Sequence, residues 1–295
     1  MLMLCHPRTC LVLALFLLMA GGCAKHSSGR LLVSQHGSLD GQPVTIWTID
    51  NGHGLKAEVM DHGATLVSLE VERSTGTMDT LLLGDDSSGS PTDVREPLGV
   101  IIGQDREFNR RVWAGTPFNS TDGLGVRFRL TCPAVEEGHP GRVDVEVDYV
   151  LTEDNELRII MKANSQEVTT FDVNHRAVLD LPDQYSLLAQ GQALPVRAKR
   201  SANDNATEYI LEEAVGQLHL AATLVDSSDD RVMSLWTDRP VLRMERLGGP
   251  STAADMASRS IRISSPSEVD GKQMDGPLVP GKPYRHVIEY RFDPD

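Results

Sequence analysis

"VDVEVDYVLTEDNELRIIMKA", residues 143–163, alternates apolar and polar side chains on both sides of a short polar break. Val143, Val145, Val147, Tyr149 and Leu151 carry the apolar set before the break, and Leu157, Ile159, Met161 and Ala163 carry it afterwards. A period of two puts one set on one face of an extended strand and the remainder on the other. The break, "TEDNE", holds Asp154 and Asn155, whose short side chains bond nearby backbone and so favour a turn. The stretch therefore predicts two antiparallel strands with one buried face and one wet face.

The same period extends outward along the chain. "VTIWTID" (44–50), "LKAEVMD" (55–61), "TLVSLEVE" (65–72), "VRFRLT" (126–131), "LHLAATLVD" (218–226), "SIRIS" (260–264) and "HVIEYRF" (286–292) all show it. Turn chemistry separates them, as in "DNGHG", "RSTGTMD", "EEGHPG" and "LVPGKP". Only "EYILEEAVGQL" (208–218) could form a short helix. With no fixed-period repeat and no linker, residues 31–295 are expected to form one all-β antiparallel sandwich or barrel.

Composition narrows the function. The charged share of 24% and hydrophobic share of 40% are ordinary for a globular protein, but the net charge is −14. Nucleic acid is excluded as a partner, since its backbone must be neutralised by Lys and Arg. Neither a phosphate-cradling glycine loop nor a zinc or calcium ligand spacing is present, so no cofactor or metal is expected.

"MLMLCHPRTCLVLALFLLMAGGC" begins with a short basic region and continues as an apolar run from Leu11 to Ala20, too short for a permanent membrane span. Small residues leading into Cys23 resemble a bacterial lipobox. That likeness implies a signal peptide over residues 1–22, a lipidated Cys23, a tether over 23–30 and an exported protein anchored to a membrane. An ordinary secretory peptide with a chance cysteine is the alternative. With Cys23 lipidated, Cys132 is left without a disulfide partner.

Several segments in order resemble the aldose 1-epimerase (galactose mutarotase) family: "MDHGATLVSLEV", "DTLLLGDD", "GQDREFNRRVWAG", "EEGHPGRVDVEVDYVLTEDNELRIIMKA", "VNHRAVLDL" and "LVPGKPYRHVIEYRF". The likeness covers residues 38–293 and implies a large antiparallel β-supersandwich acting on an aldose or a glycan end. It implies that His175 lies in a sugar cleft as the general acid on the ring oxygen; the alternative is a core histidine satisfied by its neighbours. Asn109, Arg110, Asn174 and Asp204 follow as sugar contacts, although Asn174 could instead bond backbone.

Mutarotation needs an acid on the ring oxygen and a base on the anomeric hydroxyl, each worth roughly 10² to 10⁴ in rate. Here the pattern is broken. Ser264 stands where the family has its glutamate base, a second histidine segment between Phe118 and Val126 is missing, and Gln104 replaces an arginine that Arg106 could supply. Three readings stay open: an epimerase with an unrecognised base, a sugar-binding lipoprotein without the chemistry, and a scaffold.

Overall fold

The computed structural model describes residues 29–73, 75–82, 100–103, 108–133, 141–180, 185–190, 192–195, 206–211, 216–226, 232–247, 260–269, 272–273 and 276–292. The first strands are β1 (Arg30–Leu39), β2 (Gln42–Asp50), β3 (Leu55–Met60), β4 (Thr65–Glu72), β5 (Met78–Leu82), β6 (Val100–Gly103) and β7 (Ala114–Ser120). The middle of the chain forms β8 (Gly123–Cys132), β9 (Val143–Leu151), β10 (Glu156–Ser165), β11 (Val173–Asp180), β12 (Tyr185–Ala189), β13 (Gln192–Pro195) and β14 (Ala206–Ile210). The last are β15 (His219–Asp226), β16 (Val232–Thr237), β17 (Val241–Leu247), β18 (Ser260–Ser264), β19 (Glu268–Val269), β20 (Lys272–Gln273) and β21 (Tyr284–Phe292).

β9 and β10 pair antiparallel with Leu157 opposite Leu151 and Ala163 opposite Val145, as the 143–163 alternation requires. Their apolar set is buried. The outward set forms a charge ladder, in which Arg127 donates two hydrogen bonds to Asp148 at 2.6 and 2.8 Å and Lys162 donates a third at 2.9 Å.

Two antiparallel sheets make the body. The larger runs β1-β2-β3-β4-β5-β11-β18-β17-β14-β13, with β6 added beside β11, and the smaller runs β12-β15-β16-β21-β10-β9-β8-β7. Their inner faces bury a common core that includes Trp47, Phe108, Trp113, Phe128, Phe171 and Tyr290. The all-β expectation is met, and among the described residues the one helical element is a 3-10 turn, Phe108–Arg110. Residues 208–210 of the possible helix lie in β14 instead, because pairing Glu208 and Tyr209 with Arg243 and Leu242 satisfies backbone that an isolated short helix would leave exposed. Residues 212–215 lie outside the described part.

Candidate functional site

β11 decides where His175 points. Val173, His175, Ala177 and Leu179 share one face of the strand, and Asn174, Arg176 and Val178 share the other. The first face is the core face. His175 is 1% exposed and stands edge-on between Tyr149, at 6.5 Å between ring centroids, and Tyr290, at 6.2 Å.

Beside His175 lies a cavity of about 10 Å³, bordered by Leu242, Ile263, Ser265, Ile288 and Tyr290 among others, with no Asp or Glu in its lining. That volume is about the room of one water molecule, where a sugar-sized pocket needs roughly 300 Å³ or more. Burial keeps both flanking phenols well above their ordinary pKa. The Tyr149 hydroxyl donates to the Ala64 carbonyl at 2.6 Å, so it does not stand in as a base.

The structure separates the other residues that the sequence brought together. Ser264 borders the same cavity but pairs directly with Arg176, so by strand alternation its hydroxyl shares Arg176's face and not His175's. A glutamate at 264 would point away from the imidazole. Asn174 is buried, and its side-chain oxygen accepts the Ser265 N–H at 3.3 Å, which is the backbone role and not a sugar contact. Asn109 and Arg110 sit in the 3-10 turn, half-buried and exposed respectively. This turn is stapled to the β3–β4 turn by Gly63 N–H donating to the Arg111 carbonyl and Trp113 N–H to Asp61. Cys23, Gln104, Arg106 and Asp204 lie outside the described residues. Cys132 is buried and not in a disulfide.

A buried polar network next to His175 was not read from the sequence. Arg239, 2% exposed, donates to the Ser265 carbonyl at 2.7 Å, to Asp172 at 3.0 Å and to the Tyr284 hydroxyl. One residue earlier, Asp238 accepts from Val287 N–H at 3.1 Å and from the His286 ring at 2.5 Å. Burial, then the Arg239 charge, push the His286 imidazole down to about 4, against the pull of Asp238. Burial alone would raise Asp238, but its His286 and Val287 bonds outweigh this and hold it below the usual range. At neutral pH the ring is therefore uncharged and donates from Nδ1. The available signal was modest: His286 occupies an inward position of an alternating strand.

This pair predicts an acid sensitivity. His286 binds its proton at about 4 when folded and near 6.5 when unfolded, so the folded state takes up fewer protons between those values. Stability is full above pH 6.5 and falls as pH drops toward 4, by about 3 kcal/mol. Asp238 acts in the same direction at lower pH. Urea melts at pH 7 and pH 4.5 check it, and a flat profile between them refutes it.

An open groove of about 720 Å³ lies between the β2–β3, β7–β8 and β9–β10 turns. His53, Asn119, Ser120, Asp122, Glu153 and Arg158 are among its lining residues. Asn51 ties two of these turns, donating to Thr152 O at 2.9 Å and accepting from His53 N–H and Leu55 N–H. Sequence reasoning did not single out this groove, because its residues come from three separate turns.

No protein-family model matches the chain. It is 26% identical to the aldose 1-epimerase of Escherichia coli (strain K12), over 86% of this chain and 96% of that protein. The aligned span of 336 positions exceeds this chain's 295 residues, so the relative carries insertions that this chain lacks. An aldose 1-epimerase of Haemophilus influenzae matches at 27% over 48% of the chain. Among solved structures, galactose 1-epimerase from Lactobacillus acidophilus NCFM superposes with a TM-score of 0.71 at 16% identity, covering 90% of this chain and 99% of that one. A galactose mutarotase-like protein from Clostridium acetobutylicum superposes with a TM-score of 0.68 at 10% identity, with the same coverage. The chain resembles the aldose 1-epimerases over most of its length and has the galactose mutarotase-like fold.

Proposed function

We propose that this is an aldose 1-epimerase-like carbohydrate-binding protein that has lost anomer interconversion. The enclosure of His175, beside a space for one water, carries this reading. An acid that cannot touch the ring oxygen contributes none of its roughly 10² to 10⁴ in rate. The 720 Å³ groove supports the binding half: its volume suits a glycan end, and its amides, hydroxyls and carboxylates match sugar hydroxyls.

Polarimetry on freshly dissolved α-glucose and α-galactose tests the loss. The expected outcome is mutarotation at the buffer rate, with saturable sugar binding weakened by Asn119→Ala. Robust turnover abolished by His175→Ala refutes the proposal and favours the active epimerase, the second reading, which the 26% likeness to an aldose 1-epimerase supports. As a core residue, His175 has a different consequence. His175→Ala should cost about 2 kcal/mol of stability, from two edge-on ring contacts and a cavity, measured by urea unfolding.

The anchoring belongs to the same proposal, supported by the apolar run from Leu11 to Ala20 and the small residues before Cys23. Wild type is expected in the membrane fraction, and Cys23→Ser is expected to leave it or retain its leader. A freely soluble wild type with a plain N-terminus would count against the anchor.

A further inference from the structure

The outer face of the larger sheet is arranged in rows. Arg176 on β11, Ser264 on β18 and Arg243 on β17 stand directly opposite one another across three neighbouring strands. Such residues share a face, with strands roughly 4.8 Å apart. Two long guanidinium side chains therefore flank one short hydroxyl, and the short residue leaves a notch between them.

The charges around this notch do not cancel. In the next row Arg262 is paired with Glu245 at 2.7 Å. Arg243 has Glu208 opposite it on β14, but at 3.9 Å, the limit of an ion pair. Arg176 is half-buried, makes no hydrogen bond or ion pair among the described residues, and its buried Nε has no acceptor. Among the described residues of these two rows, three arginines stand against two glutamates, a local excess of positive charge on a chain whose net charge is −14.

A partly desolvated cation beside a like charge is unfavourable unless an anion joins them. Burial first, and the Arg243 charge, lower the Arg176 pKa, while Glu245 raises it. An oxyanion over Ser264 would take charge-assisted bonds from both guanidinium groups and a further bond from the hydroxyl, and these are the stronger class of hydrogen bond. We infer that the Arg176–Ser264–Arg243 notch binds an oxyanion borne by a ligand, either the carboxylate of an acidic sugar or the phosphate of a sugar phosphate. The notch is on the opposite face of the sheet from His175 and contains none of the groove residues; that a sugar bears the anion rests on the carbohydrate reading proposed above.

The test is calorimetric titration of the full chain at low salt with inorganic phosphate, glucuronate, glucose 6-phosphate and glucose. Wild type is expected to bind at least one charged sugar about tenfold or more tighter than glucose, and Arg176→Gln to lose that advantage. Glucuronate ahead of glucose 6-phosphate assigns the carboxylate, and the reverse order assigns the phosphate. The favoured anion should raise Tm in wild type but not in Arg176→Gln. Arg243→Gln serves as the second variant if the first does not fold. Equal binding of all three sugars, or an unchanged advantage in both variants, overturns the notch and leaves the carbohydrate reading standing. Phosphate binding without any sugar binding supports the notch and counts against the carbohydrate reading.

Discussion

Arg239→Met is expected to lower unfolding stability by about 3 kcal/mol, the range for removing one partner of a buried ion pair. The guanidinium is 2% exposed and joins three chain segments: the start of β11 through Asp172, the end of β18 through the Ser265 carbonyl, and the start of β21 through Tyr284. Methionine keeps much of the volume, so the loss comes mainly from a carbonyl, a hydroxyl and a carboxylate deprived of their donor. Asp172 is 24% exposed and recovers some water, which keeps the expected cost at the lower end. In a domain of this size the melting temperature should fall by about 6 to 12 °C. A second readout separates the network from packing. Burial first, and then the Arg239 charge, hold the His286 imidazole down, so in the variant that pKa should rise above about 4 while burial still keeps it below its ordinary value. An NMR titration showing no rise, or a melt within 2 °C of wild type, would sink the assignment.

Gly123→Ala is expected to be as damaging for a different reason. Gly123 begins β8 at φ 138°, a conformation essentially confined to glycine. A Cβ there would lie 2.0 Å from the Leu151 carbonyl oxygen and 2.8 Å from its carbon. These are backbone atoms of the neighbouring strand and cannot swing aside. Leu124 pairs directly with Leu151, so relief requires opening the β8–β9 ladder at its end. The combined strain and lost pairing should cost about 3 kcal/mol or more. Gly41→Ala is the control: its φ of 80° is also positive, but a Cβ there meets nothing within 4 Å. It should cost only about 1 kcal/mol, the backbone term alone. Equal losses in the two variants would show that the close approach to Leu151 contributes nothing.

The likeness to sugar-cleft enzymes drew His175 toward a site, yet the strand itself was informative. In "FDVNHRAVLDL" the imidazole stands in the set Phe171, Val173, His175, Ala177, Leu179, the more apolar of the two. Alternation was equally compatible with a core place, and the structure encloses the ring there. The oxyanion notch was half legible. Arg176 is visible in the sequence as a cation on an alternating strand, but nothing local says that Ser264 and Arg243 will be its neighbours.

The sequence by itself determined the strand period, the turn positions, the all-β class and the sets of residues that share each face. These are properties of a few consecutive residues, where side-chain direction follows from backbone geometry. Tertiary structure alone decided which strands lie side by side, and with that the partners of Arg239, drawn from positions 172, 265 and 284, and the row Arg176–Ser264–Arg243. Pairing across long loops depends on how two sheets cover one core, a collective packing condition that no local pattern encodes.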